Sequence, residues 1–187
     1  MNDSKIAVIV GGAACNFDDI ASLSEEVIKS AAFIAVNDVG TVLNHPLTAW
    51  VSLHPEKFLA AKPFWITKRI ENNLDINGCK VVGWNKDSKP RDLPGVNFWT
   101  DYLCEGSSGL FGVGVAIILG YKQIICCGIP MNLQINKFLN RPSFSTDKAA
   151  DVYRPFWEKQ LPILKGRVFS QSGWTKELLG SWPEKDC

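Results

Sequence analysis

Apolar residues in this chain gather in short unbroken runs of four to six, separated by longer stretches where apolar positions recur every three or four residues. Short continuous runs read as interior strands buried on both faces, and the helical spacing reads as the crossovers between them. Ile6 to Val10 predicts a first strand that runs into Gly11-Gly12-Ala13-Ala14-Cys15-Asn16. A helix is expected from Asp18 to Ser30, capped by Asn16 or Asp18 and acidic in its first turn. Phe33 to Val36 predicts the second strand, ending in Asn37-Asp38-Val39-Gly40. Ala49 to Leu53 predicts the third, ending at His54 with Pro55 at the favoured first helical position. Pro63 must break or kink the helix that follows, which then continues to Asn72. Cys79 to Trp84, Val96 to Trp99 and Gln123 to Cys127 predict three more strands. Asn132 to Thr146 reads as a long loop, Asp147 to Leu164 as a helix strained at Pro155 and Pro162, and Val168 to Ser170 as a last short strand.

The sharpest local pattern lies between Gly106 and Met131. Ser107 and Ser108 can cap the free N–H groups of a first helical turn, and that turn carries the positive end of the helix dipole, where an anion such as phosphate is favoured. Gly112 and Gly114 weaken a helix interior, so their expected value is close approach of helix to sheet. Leu110, Val113, Ala116 and Ile117 form its buried stripe, and Gly120 fits a C-terminal cap. Alternating strands and helices predict an α/β fold, a three-layer α/β/α Rossmann-like arrangement on a mostly parallel sheet. One such domain is expected over residues 1–187, with a lid segment over 132–146.

Composition narrows the class of partner. A chain of 187 residues with 46% hydrophobic content supports one full core. A net charge of +1 argues against duplex nucleic acid or an anionic membrane as partner. The stretch from His54 to Arg91 leans basic, with Lys57, Lys62, Lys68, Arg69, Lys80, Lys86, Lys89 and Arg91 against Glu56, Glu71, Asp75 and Asp87. Such a run reads first as a solvated face. The six cysteines, at 15, 79, 104, 126, 127 and 187, show no C-x-x-C spacing and no cysteine–histidine cluster. The Met-Asn-Asp-Ser start lacks a charged-then-apolar leader, and no apolar run reaches membrane-spanning length. These features predict a soluble, reduced, cytoplasmic protein.

Candidate chemistry falls after strands rather than before them. Gly11-Gly12 with Asn16, Asn37-Asp38, His54, Ser107-Ser108-Gly109 and Gly128-Ile129-Pro130-Met131 would all lie at the sheet edge where open α/β proteins bind ligands. Each has a plainer alternative. Asn37 and Asp38 suit a turn, His54 can precede Pro55 as an N-cap, and Ser107 to Gly109 can be an ordinary cap.

The run Ser108-Gly109, four residues, then Val113-Gly114-Val115-Ala116-Ile117-Ile118-Leu119-Gly120-Tyr121-Lys122-Gln123-Ile124 and Gly128-Ile129 resembles the signature of single-domain bacterial sialyltransferases. It is also similar to motility-associated glycosyltransferase-like domains and to archaeal 6-hydroxymethylpterin diphosphokinases. In these families the first strand ends in a glycine-containing turn with a polar residue after it, and the second ends in asparagine. Gly11, Gly12, Asn16 and Asn37 stand in matching places. The resemblance implies that the turn, Asn37 and the Ser-Gly helix start hold the base, sugar and phosphate of a nucleotide or nucleotide sugar. The segments Leu53-His54-Pro55-Glu56-Lys57 and Ser170-Gln171-Ser172-Gly173-Trp174-Thr175 also resemble small proteins of phage and prophage type.

The chain departs from the sialyltransferase pattern in having no histidine after His54, whereas that family carries a catalytic histidine late in the chain. Inverting transfer needs a base near the acceptor hydroxyl, and His54, at a strand end, is better placed for it than His45. No Asp-x-Asp pair follows a strand, so neither a metal nor another cofactor is expected. Ser107 and Ser108 could then stabilise a leaving phosphate, joined by Arg141, Tyr153 and Arg154 if the long loop and the late helix fold over the site. The expectation is a nucleotide- or nucleotide-sugar-binding protein, foremost a metal-independent glycosyltransferase. The alternatives are a non-catalytic protein of phage origin that sequesters a nucleotide, and a pyrophosphokinase-like transferase, which would need magnesium on its triphosphate.

Overall fold

Seven parallel strands make one sheet, in the spatial order 98–100, 80–84, 47–52, 32–36, 6–10, 123–127 and 168–170. The computed structural model describes residues 5–84, 92–132, 134–136, 141–143 and 147–183. In chain order the strands are β1 (Ile6–Val10), β2 (Ala32–Val36), β3 (Leu47–Ser52), β4 (Lys80–Trp84), β5 (Phe98–Thr100), β6 (Gln123–Cys127), β7 (Gln134–Asn136), β8 (Arg141–Ser143) and β9 (Val168–Ser170). The helices are α1 (Asn16–Ala21), α2 (Glu25–Ser30), α3 (Trp65–Glu71), α4 (Ser108–Ile118), α5 (Asp147–Lys159), α6 (Leu161–Leu164) and α7 (Gly173–Leu179). The fold is α/β and Rossmann-like, as the alternation of patterns implies.

Alternation along each strand splits the core into two layers. Ala7, Ile9, Ile34, Val36, Val51 and Cys126 face α4, together with Trp157 of α5 and Leu164 of α6. Val8, Val10, Phe33, Ala35, Trp50 and Cys127 face Ile20 of α1, Val27 of α2 and Trp65 of α3. Trp50 and Trp157 are fully buried, and a large side chain so placed contributes about 1.5–3 kcal/mol through removal from water. Gly112 lets α4 lie on the sheet, because a Cβ there would stand 2.9 Å from Ile9 Cγ2 and 3.1 Å from Val36 Cγ2. Gly114 does something else. Its missing Cβ makes room for the Tyr102 carbonyl, at 2.5 Å, in the loop before the helix.

Four sequence expectations are corrected. The helix expected over Asp18–Ser30 is two helices, because Ser24 starts a new one by accepting the Val27 N–H at 3.3 Å, with Glu25 and Glu26 in its acidic first turn. Neither Asn16 nor Asp18 caps α1; Cys15 holds that position without a side-chain bond. The stretch Asn132–Thr146 contains an antiparallel hairpin of β7 and β8, while the rest of the expected lid, 133, 137–140 and 144–146, lies outside the described residues. The late helix breaks at Gln160, since Pro162 suits the start of α6 better than the interior of α5.

All the carboxyl ends of the large sheet lie at one edge. From β1 the chain proceeds to β2 on one side, and from β6 it reaches β9 on the other, so β1 and β6 flank the point where the winding reverses. Among the described residues no helix is long and apolar enough to cross a membrane.

Candidate functional site

The exits of β2 and β3 open on a cleft, and the backbone there is held tightly. Asn37 leaves β2 in a left-handed conformation, φ 56°, and begins a 3-10 turn through Thr41. Asparagine tolerates this region better than most residues. Its carbonyl accepts the Trp50 indole N–H. Its Oδ1 accepts the Ser52 hydroxyl at 2.8 Å, and Ser52 Oγ in turn accepts the His54 backbone N–H at 2.8 Å. Asn37, Ser52 and His54 are thereby tied across two neighbouring strands, and the Asn37 amide nitrogen has no partner among the described residues. Gly40 is required by the same construction, because a Cβ would collide with the Trp50 indole ring.

The far side of this loop is pinned by α3. Arg69, 1% exposed, donates to the carbonyls of Gly40, Leu43, His45 and Asp75 at 2.7–3.1 Å. Asn72 Nδ2 adds a bond to the Thr41 carbonyl at 2.7 Å. Burial pulls the Arg69 guanidinium below its ordinary range, opposed by nearby Cys79 and Asp75. The cleft between the loop and α3 has a volume of about 750 Å³, and Asn37, Asp38, His54, Lys57, Lys62 and Lys68 are among its lining residues. Lys57 Nζ stands 5.8 Å from the Trp65 ring centroid, a cation–π geometry that places its ammonium group beside the ring. His54 is exposed, its Nδ1 3.7 Å from Glu56 Oε1.

The other candidates meet around the β1/β6 switch, and there the chain is packed shut. Gly11 N–H donates to the Cys127 carbonyl at 2.8 Å, and Asn16 Nδ2 to the Gly11 carbonyl at 3.1 Å. Gly128, at φ 68°, sits so close that a Cβ would be 2.5 Å from Asn16 Cβ. Gly12 is half-buried and Asn16 fully buried. Asp19 closes this cluster. Its Oδ2 accepts the Gly128 N–H and the Ser172 hydroxyl, both at 2.7 Å. Cys15 lies 3.2 Å from the same hydroxyl, and burial pushes its thiol up to about 11, the Ser172 hydrogen bond pulling the other way.

Ser107, Ser108 and Gly109 start α4 as expected, and all three are buried. Ser107 Oγ accepts the Leu110 N–H and the Trp157 indole N–H, each at 3.2 Å. A Cβ on Gly109 would stand 2.8 Å from Ile129 Cγ2. Ile129, Pro130 and Met131 are buried too, and their carbonyls are taken by the protein itself: Thr175 Oγ1 to Ile129 at 2.6 Å, Thr175 N to Pro130 at 3.4 Å, and Arg154 to Met131 at 3.1 Å. Arg154 also lies over the Trp174 ring, 5.2 Å from its centroid.

The candidates thus divide in two. Asn37, Asp38 and His54 line the open cleft, whereas Gly11, Gly12, Asn16, Ser107–Gly109 and Gly128–Met131 form the packed switch region. Among the described residues no three His, Cys, Asp or Glu side chains converge as metal ligands would. Sequence reasoning missed Asp19, whose partners are far along the chain, and the lysines of the cleft, which it read as a solvated face.

No protein-family model matches this chain, and no curated protein matches it in sequence. Among solved structures it is similar to the sialyltransferase CstII from Campylobacter jejuni, in complex with a substrate analogue, cytidine-5'-monophosphate. The match has 16% identity and a TM-score of 0.57, over 96% of this chain and 86% of that one. The likeness is one of fold. A second similar structure is the MAf glycosyltransferase from Magnetospirillum magneticum AMB-1, with 18% identity and a TM-score of 0.49. That match covers 70% of this chain, which spans only 23% of the larger protein.

Proposed function

We propose that this chain binds a nucleotide or nucleotide-linked sugar in the cleft at the exits of β2 and β3 and acts as a metal-independent glycosyltransferase of sialyltransferase-like type. The observation that carries the reading is the tie from Asn37 through Ser52 to His54, which presents a donor amide and an imidazole together on one open cleft. The glycosyltransferase-like fold supports it, and so does the nucleotide bound by the sialyltransferase neighbour.

In this scheme the Asn37 amide nitrogen donates to the sugar or phosphate of the donor. His54 accepts the proton of the acceptor hydroxyl, the acceptor oxygen bonds to the anomeric carbon, and the carbon–oxygen bond to phosphate breaks with its electron pair passing to the phosphate. Glu56 Oε1 stands 3.7 Å from His54 Nδ1, beside the imidazole. The switch region serves as scaffold: Gly11, Gly12, Asn16, Gly128 and the start of α4 hold β1 and β6 in register beside the cleft.

A second reading is favoured by the closure of that region. The Ser107 hydroxyl and the Ile129, Pro130 and Met131 carbonyls are already engaged by the protein, which suits a protein that holds a nucleotide without turning it over. Mass spectrometry of a nucleotide sugar after long incubation with candidate acceptors separates the two. Transfer that survives chelation and falls by ~10²–10⁴-fold in His54→Ala, with nucleotide affinity kept, supports the transferase. Unchanged ligand across a broad acceptor set supports sequestration, and metal-dependent diphosphate transfer to a hydroxyl supports a pyrophosphokinase.

A further inference from the structure

We infer that Lys57, Lys62 and Lys68 form a phosphate-binding wall, so that the ligand's anionic group sits beside the exits of β2 and β3 rather than at the start of α4. The nucleotide reading above supplies the rest of the ligand, but the anion site stands on the cleft's own charges. The three lysines come from separate places, the 3-10 turn after β3, the connection before α3, and α3 itself, yet all line one cleft. None forms an ion pair among the described residues, although exposed lysines elsewhere do, such as Lys29 with Glu25 and Lys159 with Glu105. Among the described residues two carboxylates line the same cleft, Asp38 and Glu71.

Behind the wall, Arg69 adds a buried positive charge whose hydrogen bonds all go to carbonyl oxygens. A cleft in which positive charges outnumber negative ones, backed by a buried cation, favours an incoming anion. At the competing position the Ser107 hydroxyl is already engaged by Leu110 and Trp157, and Ile129 packs against Gly109. A volume of about 750 Å³ admits a ligand of nucleotide size.

The test is calorimetric titration of the full chain with inorganic pyrophosphate, cytidine-5'-monophosphate, uridine diphosphate and the two parent nucleosides, at two salt concentrations. It compares the parent with Lys57→Met, Lys62→Gln, Lys68→Gln, the triple variant and Ser108→Ala. Lys57→Met keeps an aliphatic stem against Trp65, and equal melting temperatures establish that the variants fold. The expected result is a loss of roughly tenfold or more in phosphate-probe affinity for each lysine that contacts the anion. The triple variant should show a flatter salt dependence, and Ser108→Ala should bind like the parent. If pyrophosphate binds and the triple variant loses it while no nucleotide binds the parent, the anion wall stands and the nucleotide reading fails. If nucleotides bind the parent and the triple variant equally, the wall is overturned and the nucleotide reading survives. Failure of every phosphate probe to bind the parent overturns the wall.

Discussion

At the scale of single residues, the side chains with the largest consequences are those that make a contact no other residue could make in their place. Gly40 must lack a Cβ because the Trp50 indole fills that space, so Gly40→Ala should destabilise the fold by about 1–3 kcal/mol through overpacking, read as a lowered urea midpoint. The loss should be accompanied by a change in tryptophan fluorescence, since Trp50 also donates to the Asn37 carbonyl. Asp19→Ala removes the acceptor of a buried N–H at Gly128, a loss of about 1–3 kcal/mol, and Asp19→Asn should recover part of it. These two residues mark the limits of reading a sequence. Asn37 and His54 were legible as rim residues because each follows a recognisable strand. Asp19 looked like an acidic first-turn residue, since Gly128 and Ser172 lie more than a hundred positions away and nothing local announces them.

Elements were legible wherever one kind of periodicity ran unbroken. The strands of the large sheet stood out because central parallel strands are apolar on both faces, and α4 because its serine cap and its glycines bracket an apolar stretch. The break between α1 and α2 had a signal in Ser24-Glu25-Glu26, an N-cap followed by acidic residues, masked by the apolar spacing that runs through it. The hairpin of β7 and β8 had almost none, being two three-residue strands with Pro142 inside one of them. The cleft could not be read at all from the basic run 54–91, because whether such lysines face water or one another depends on how α3 docks against the loop after β2. That docking is itself testable. Arg69→Met keeps volume but leaves the carbonyls of Gly40, Leu43, His45 and Asp75 without their donor, and we expect a loss of about 2–4 kcal/mol. Nucleotide affinity should fall as well, because the loop carrying Asn37 and Asp38 loses its anchor; retention of both stability and affinity would show that α3 does not position the site.

On the scale of the whole molecule, burial suppresses the ionisation of the thiols among the described residues. Burial pushes Cys79 and Cys126 from 9.0 up to about 12, and Cys127 higher still, with Asp19 adding to the effect in Cys126 and Cys127. An unfolded chain releases these protons from about pH 9 while the folded chain retains them, so stability is full below that pH and declines between pH 9 and 12. Thermal melts across this interval should show the decline, and Cys126→Ser with Cys127→Ala should flatten it after the lower starting stability is taken into account. The adjacency of Cys126 and Cys127 has another use. Because successive strand residues face opposite ways, one thiol is sealed under α4 and the other on the side of α1 and α2. A single strand therefore carries two chemical clocks, one for each half of the protein. Labelling with a thiol reagent in rising denaturant, resolved by tandem mass spectrometry of the peptide that carries both cysteines, times the exposure of each half separately. Equal rates at every denaturant concentration would mean that the halves come apart in one step. Earlier labelling of Cys127 would mean that the half bearing the cleft opens while the α4 half stays closed.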